Sequence, residues 1–258
     1  METLFKRMIP KIMLNKNSGL GLVGSITTKN YKPLKFIGSP RSQARIFESN
    51  NADELILLNI DVRVTFEELI EVADSVSREI FMPLSVGGGI KTYEQAARIF
   101  ELGVEKVVVE NMLLDNPKHI NKIANRFGSQ SIVGSCTYWG NPTSNIPEDL
   151  SKKRIINLSN LAERILHIEN LGVGEIMIND ASRDGTYTGS NIVALKMTLH
   201  NTSLPIIDSC GFGSMEHFIE SFKHGSSAVA VGSYFAFVDQ SFLQLKNQIA
   251  NGGIRVRE

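Results

Sequence analysis

The chain has 258 residues, of which 42% are hydrophobic and 21% charged, enough apolar material for a large core and too much for a disordered chain. Lysine plus arginine and aspartate plus glutamate both number 27, so net charge gives no reason to expect nucleic acid or an anionic membrane as a partner. No apolar run is long enough to span a bilayer, the start carries no signal-peptide pattern, and Cys136 and Cys210 lack metal-ligand spacing; a reduced, cytoplasmic protein without metal or cofactor is expected.

Strand-like runs recur along the chain at MIPKIML (8–14), ELILLNI (54–60), PLSV (83–86), KVVVE (106–110), SIVGSC (131–136), EIMIN (175–179), PIIDS (205–209) and AVAVG (228–232). They are rich in Ile, Val and Leu and do not alternate with polar residues, the mark of parallel strands covered on both faces. Helical stretches lie between them. Thr65 with Glu68, and Thr92 with Gln95, carry the spacing of a capping box. Asn15 to Pro40 and Tyr138 to Lys153 read as loops after the first and fifth strands. Eight strand–helix alternations predict an α/β fold, a single (βα)8 TIM barrel over residues 1–258, with a doubly wound open sheet as the alternative.

The chain also repeats itself. Pro83 to Asn111 and Pro205 to Ser233 share a pattern of buried strand, glycine turn, amphipathic helix, glycine and buried strand. Pro83 matches Pro205, Gly89 matches Gly211, and Gly103 matches Gly225. The repeat predicts two related half-barrels, approximately 6–128 and 129–250.

Glycines at VGGGI (86–90), CGFGS (210–214) and VGS (231–233) let backbone N–H groups converge on an anion at a strand end. Gly89, Gly211, Gly232 and Ser233 are therefore candidate phosphate contacts, and two copies suggest a phosphorylated small molecule with two phosphates. In SRDGT (182–186), Asp184 stands where a barrel places catalytic groups, with Gly185 and Thr186 beside it. A plain Asp-Gly turn is the alternative.

KRMIPKIML, DELILLNID, PLSVGGGI, RFGSQSIV, GVGEIMI, RDGT and SMEHFIESFKHG together resemble the cyclase subunit of imidazole glycerol phosphate synthase, a HisF/HisA-type barrel, nearly end to end. The resemblance implies a barrel of two duplicated halves that receives ammonia from a glutaminase subunit docked at its bottom. The ammonia passes to a bisphosphorylated ribonucleotide at the top, in a lyase or cyclase reaction of histidine biosynthesis. It also implies phosphate contacts at Gly89, Gly185, Thr186, Gly211, Gly232 and Ser233, and an ammonia gate of Arg7, Glu54, Lys106 and Glu175. A salt-bridged barrel floor would explain the same four charges.

The chain departs from that family where the chemistry sits. The two family aspartates, general acid and base, align with Met13 and Thr137, and a third acidic position with Asn59. Methionine has no proton to move, and a threonine hydroxyl titrates far outside the useful range. Glu110 stands where the family tends to have asparagine, and a carboxylate there repels phosphate unless protonated or turned away. Asp184 remains as the candidate catalytic carboxylate, with Asp61 and Asp208 as substitutes. The preferred expectation is an ammonia-accepting synthase subunit that pairs with a glutaminase and acts on a sugar or nucleotide-sugar. The alternatives are an inactive barrel that activates a glutaminase, a true histidine-pathway cyclase, and, least favoured, a sugar-phosphate isomerase.

Overall fold

The computed structural model describes residues 5–17, 19, 21–151, 154–237 and 242–257. In chain order the strands are β1 (Arg7–Lys16), β2 (Val23–Lys29), β3 (Lys32–Gly38), β4 (Leu55–Asn59), β5 (Leu84–Gly87), β6 (Lys106–Val109), β7 (Ile132–Trp139), β8 (Ile156–Asn157), β9 (Glu175–Asp180), β10 (Ile206–Ser209) and β11 (Ala228–Val231). Eight of them pair in parallel in the order β1-β4-β5-β6-β7-β9-β10-β11, and β11 returns to β1 with Arg7 opposite Ala228 and Pro10 opposite Val231. That last pairing closes the sheet, so the fold is a (βα)8 barrel and the open-sheet alternative fails.

The absence of polar alternation in the strands follows from the closure. Side chains at successive positions point to opposite faces. One set, Ile9, Ile56, Val108, Val133, Met177, Ile207, Ala228 and Ala230, packs together inside the barrel. Their neighbours Met8, Leu57, Val107, Ile132, Ile178, Ile206 and Val229 join a larger cluster under the helices, with Leu69, Ile99, Ile123, Ile165 and Phe218. Both faces are buried, so both sets are apolar.

The helix starts are chemically marked. Before the helix Phe66–Ser77, Glu68 N donates to Thr65 Oγ1 at 3.2 Å and Thr65 N donates to Glu68 Oε2 at 2.8 Å, a complete capping box. Before Tyr93–Phe100 only half forms: Gln95 N donates to Thr92 Oγ1, while Gln95 Oε1 accepts from Lys91 N.

The stretch Asn15 to Pro40, expected as a loop, is mostly strand. β2 pairs antiparallel with β1, and β3 with β2, so a hairpin extends the first strand beyond the barrel wall. The stretch after the fifth barrel strand is also partly ordered: β7 runs on to Trp139, and a short helix covers Glu148–Ser151. Lys152 and Lys153 lie outside the described residues. Among the described residues no helix is long and apolar enough to cross a membrane.

Thr65→Ala removes the cap hydroxyl and is expected to cost about 1 kcal/mol. Thermal unfolding should show a lowered Tm, whereas Thr92→Ala, which breaks half a box, should lower it less.

Candidate active site

The barrel interior is layered from end to end. Arg7, Lys106 and Glu175 open β1, β6 and β9, and Glu54 immediately precedes β4, so all four meet at the N-terminal end of the barrel. Arg7 donates to Glu54 Oε1 at 2.5 Å and also to Glu175; Lys106 Nζ reaches Glu54 Oε2 at 3.2 Å and Glu175 Oε2 at 3.1 Å. Each cation bridges both anions. Burial works against the charge on Arg7, but the two carboxylates override it and hold the guanidinium above its ordinary pKa. Above this floor lies the apolar layer.

Two residues further along each strand the side chains change character. That register holds Lys11, Leu58, Gly87, Glu110, Ser135, Asn179, Ser209 and Gly232. Two hydrogen-bond groups result. On one side Asn179 Nδ2 donates to Ser135 Oγ at 3.1 Å, and Ser135 Oγ to Glu110 Oε2 at 3.3 Å. Thr137 N donates to Glu110 Oε1 at 2.7 Å and Thr137 Oγ1 to Glu110 Oε2 at 3.1 Å. On the other side Lys11 Nζ donates to Ser209 Oγ at 2.6 Å.

Glu110 is thus turned into the barrel and lies against Thr137, one of the two positions where the resemblance implies an aspartate. Burial pushes its carboxyl pKa above the ordinary value, against the pull of the Thr137 and Ser135 hydrogen bonds. The reorientation could not be read from the residue type.

The hairpin tip covers this end. Asn30 and Tyr31 both have positive φ, 49° and 60°, as a two-residue turn between twisted strands requires. Tyr31 OH lies 3.3 Å from Thr137 Oγ1, and Thr28 Oγ1 donates to Met13 Sδ at 3.6 Å. Met13 and Thr137, the two positions where the resemblance implies an aspartate, are thus each touched by a hairpin residue. Burial, helped by Cys210 and Glu110, pushes the Tyr31 phenol well above its usual pKa. Asp184 holds the tip in place: its carbonyl accepts from Asn30 N at 2.8 Å and its Oδ2 from Tyr31 N at 3.0 Å.

The other candidate carboxylates stand elsewhere. Asp61 is held by Arg63 and by Lys16 N, with its pKa lowered to about 2. Asp208 accepts from Ser190 and Ser221 on the helix side of β10, and burial raises its pKa to about 6. Neither aims into the barrel mouth.

Asp184, Gly185, Gly211, Gly232 and Ser233 come together around one small cavity, joined by Lys11, Met13, Tyr187 and Cys210. At Gly211, φ is +85° and a Cβ would lie 2.3 Å from Gly189 O, so only glycine fits. Thr186 is not in that lining; its hydroxyl donates to Arg183 O at 2.7 Å. Gly89 belongs to the opposite half, beside Gly88, whose Cβ would sit 1.9 Å from Asn59 O. Lys11 and Tyr31 escaped the sequence reading. Lys11 looked like a strand residue, and Tyr31 fell in a stretch read as loop.

The structure is a closed (βα)8 barrel with paired charges at one end and a glycine-lined polar cavity at the other. Residues 20–240 match the family described as Histidine biosynthesis protein. A protein of Prochlorococcus marinus, provisionally named imidazole glycerol phosphate synthase subunit hisF2, is 32% identical over 98% of both chains. One of the same provisional name from Pseudomonas aeruginosa is 38% identical over 90% of this chain and 91% of its own. The imidazole glycerol phosphate synthase subunit HisF of Chlorobium phaeovibrioides is 34% identical over 98% of this chain and 99% of its own. The chain belongs to the histidine biosynthesis protein family, as a cyclase-like paralogue of the HisF type.

Because the folded-state pKa of Glu110 is raised, the folded protein binds this proton more tightly than the unfolded chain. The associated stability is present at low pH and lost as pH rises through the raised value. Glu110→Gln cannot ionise, so its Tm relative to the parent is expected to rise as pH climbs from the ordinary carboxylate range through the raised value. Asp208 titrates identically in both proteins and cancels. A difference that shrinks over that range would show Glu110 to be stabilised as the anion.

Proposed function

We propose that the protein is the ammonia-accepting synthase subunit of a two-component glutamine amidotransferase in the cytoplasm, acting on a phosphorylated sugar or nucleotide-sugar. One observation carries this reading. The charge ring of Arg7, Glu54, Lys106 and Glu175 is complete beneath an apolar interior, while Met13 and Thr137 leave the mouth without the family's acid–base pair. An apolar passage suits neutral ammonia, and the four-charge ring is the feature a glutaminase subunit would face as a heterodimer partner. The glycines at 185, 211 and 232 with Ser233 supply backbone donors for a phosphate, with Gly89 and Thr186 as more distant contacts. The chain is taken as one domain of two half-barrels, approximately 6–128 and 129–250.

A second reading is a barrel that binds and activates the glutaminase without chemistry of its own. The hairpin tip favours it, since Tyr31 fills the mouth and Asp184 is committed to holding the tip.

On mixing with the glutaminase subunit of an imidazole glycerol phosphate synthase, glutamine hydrolysis should rise, and Glu175→Gln, which unbalances the ring, should reduce the rise. No increase on mixing would leave the four charges as a structural floor.

The histidine-pathway substrate should give little or no ammonia-dependent cyclisation, because general acid–base catalysis contributes about 10²–10⁴-fold and both groups are missing. Thr137→Asp alone would set a second carboxylate beside Glu110. Recovery is therefore expected from Met13→Asp with Thr137→Asp and Glu110→Asn together. Turnover by the unmodified protein comparable with that of a HisF subunit would sink the new-substrate reading.

A further inference from the structure

Among the described residues, Lys11 is a buried cation with no carboxylate partner. It is 9% exposed, it points into the barrel, and its ammonium donates to the Ser209 hydroxyl. Among the described residues no carboxylate oxygen lies within 4.0 Å of it. The contrast with Lys246 is direct: that lysine, 4% exposed, is paired with Asp53 at 2.7 Å. Arg7 and Lys106 each have two carboxylates. A buried charge is costly unless paired and hydrogen-bonded, and one serine hydroxyl serves only one of the three ammonium N–H bonds.

The remaining donor capacity opens onto the cavity lined by Asp184, Gly185, Gly211, Gly232 and Ser233. Gly232 sits close against Met13 in this lining: a Cβ on it would approach Met13 Cε to 2.9 Å, so the wall there is backbone. We propose that Lys11 is the cationic floor of an oxyanion site in this cavity, which takes the phosphate or carboxylate of a sugar-sized substrate. Asp184 borders the same cavity, so the ligand is one that turns an anionic group to Lys11 and a hydroxyl to Asp184. The proposal rests on the barrel mouth being the substrate end. It adds a residue that specifies the charge of the ligand.

The test is calorimetric titration of the full chain with inorganic phosphate, with glucuronate, and with uncharged glucose as control. Phosphate or glucuronate is expected to bind and glucose not to; which anion binds tighter tells a phosphate ester from a uronate. Lys11→Met, which keeps length without charge, should weaken the bound anion about 10- to 100-fold, the worth of a charged hydrogen bond. Crystals of the unmodified protein soaked in the same anion should show an oxygen within hydrogen-bonding distance of Lys11 Nζ, a readout that stands if the variant fails to fold. Unchanged affinity in Lys11→Met, or an anion seated on Gly211 and Ser233 away from Nζ, overturns the role of Lys11 and leaves the proposed function standing. No binding of either anion overturns the site. Glutaminase activation, measured separately, tests the proposed function without involving Lys11.

Discussion

Closing eight parallel strands into a barrel sends every second side chain of each strand into one narrow interior, and that constraint orders everything else in this protein. Each strand turns every second residue to the interior, so along any one strand the chemistry changes in steps of two residues. The floor level holds Arg7, Glu54, Lys106 and Glu175. The middle holds Ile9, Ile56, Val108, Val133, Met177 and Ile207, with Ala228 and Ala230 where β11 closes on β1. The upper level turns polar at Lys11, Glu110, Ser135, Asn179 and Ser209. The helices outside see only the other set of side chains and therefore play no part in this sequence of environments.

Charges at the floor must be compensated there, because the apolar layer above offers nothing. Two cations each bridging two carboxylates is a neutral, mutually braced arrangement. Removing one member would strand the others in a half-buried setting, which is far costlier than never having had the pair. At the upper level the same rule is met differently. Glu110 is stabilised by one backbone N–H and two hydroxyls, and Lys11 by a single hydroxyl. These groups stand on opposite sides of the mouth and do not neutralise each other directly.

The barrel was legible because its strands are doubly buried and leave uninterrupted apolar runs, and because Thr65 and Glu68 mark a helix start in four letters. The hairpin was not. Its turn is Asn30-Tyr31 rather than Asn-Gly, and Pro33 interrupts β3 just before the short Leu34-Lys35-Phe36 alternation, so the usual hairpin signals are weak. The gathering of Asp184, Gly185, Gly211 and Ser233 was legible because each follows a strand end. The placement of Glu110 was not, since its direction depends on backbone angles at the start of the helix Asn111–Asp115, φ −130° and ψ −64°, that no residue pattern encodes. The charged floor was recognised through family resemblance; its geometry, with every cation bridging both anions, came only with the fold.

The residues at positions 13 and 137 and the docking of the hairpin form one physical problem. Thr28 Oγ1 rests on the sulfur of Met13, and the Tyr31 phenol rests on Thr137. An aspartate at 137 would face Glu110 across about the distance of a hydrogen bond, and two carboxylates that close cannot both ionise. An aspartate at 13 would put a charge beneath Thr28 in a buried wall, with Lys11 as the available counter-ion two residues away on the same strand. A neutral thioether and a hydroxyl remove both conflicts. They let the tip lie flat on the mouth, with its N–H groups on Asp184 and its phenol feeding a chain of hydroxyls that ends on Glu110. Thr137 Oγ1 donates to Glu110, so its remaining role toward Tyr31 is as acceptor, and the phenol is the donor.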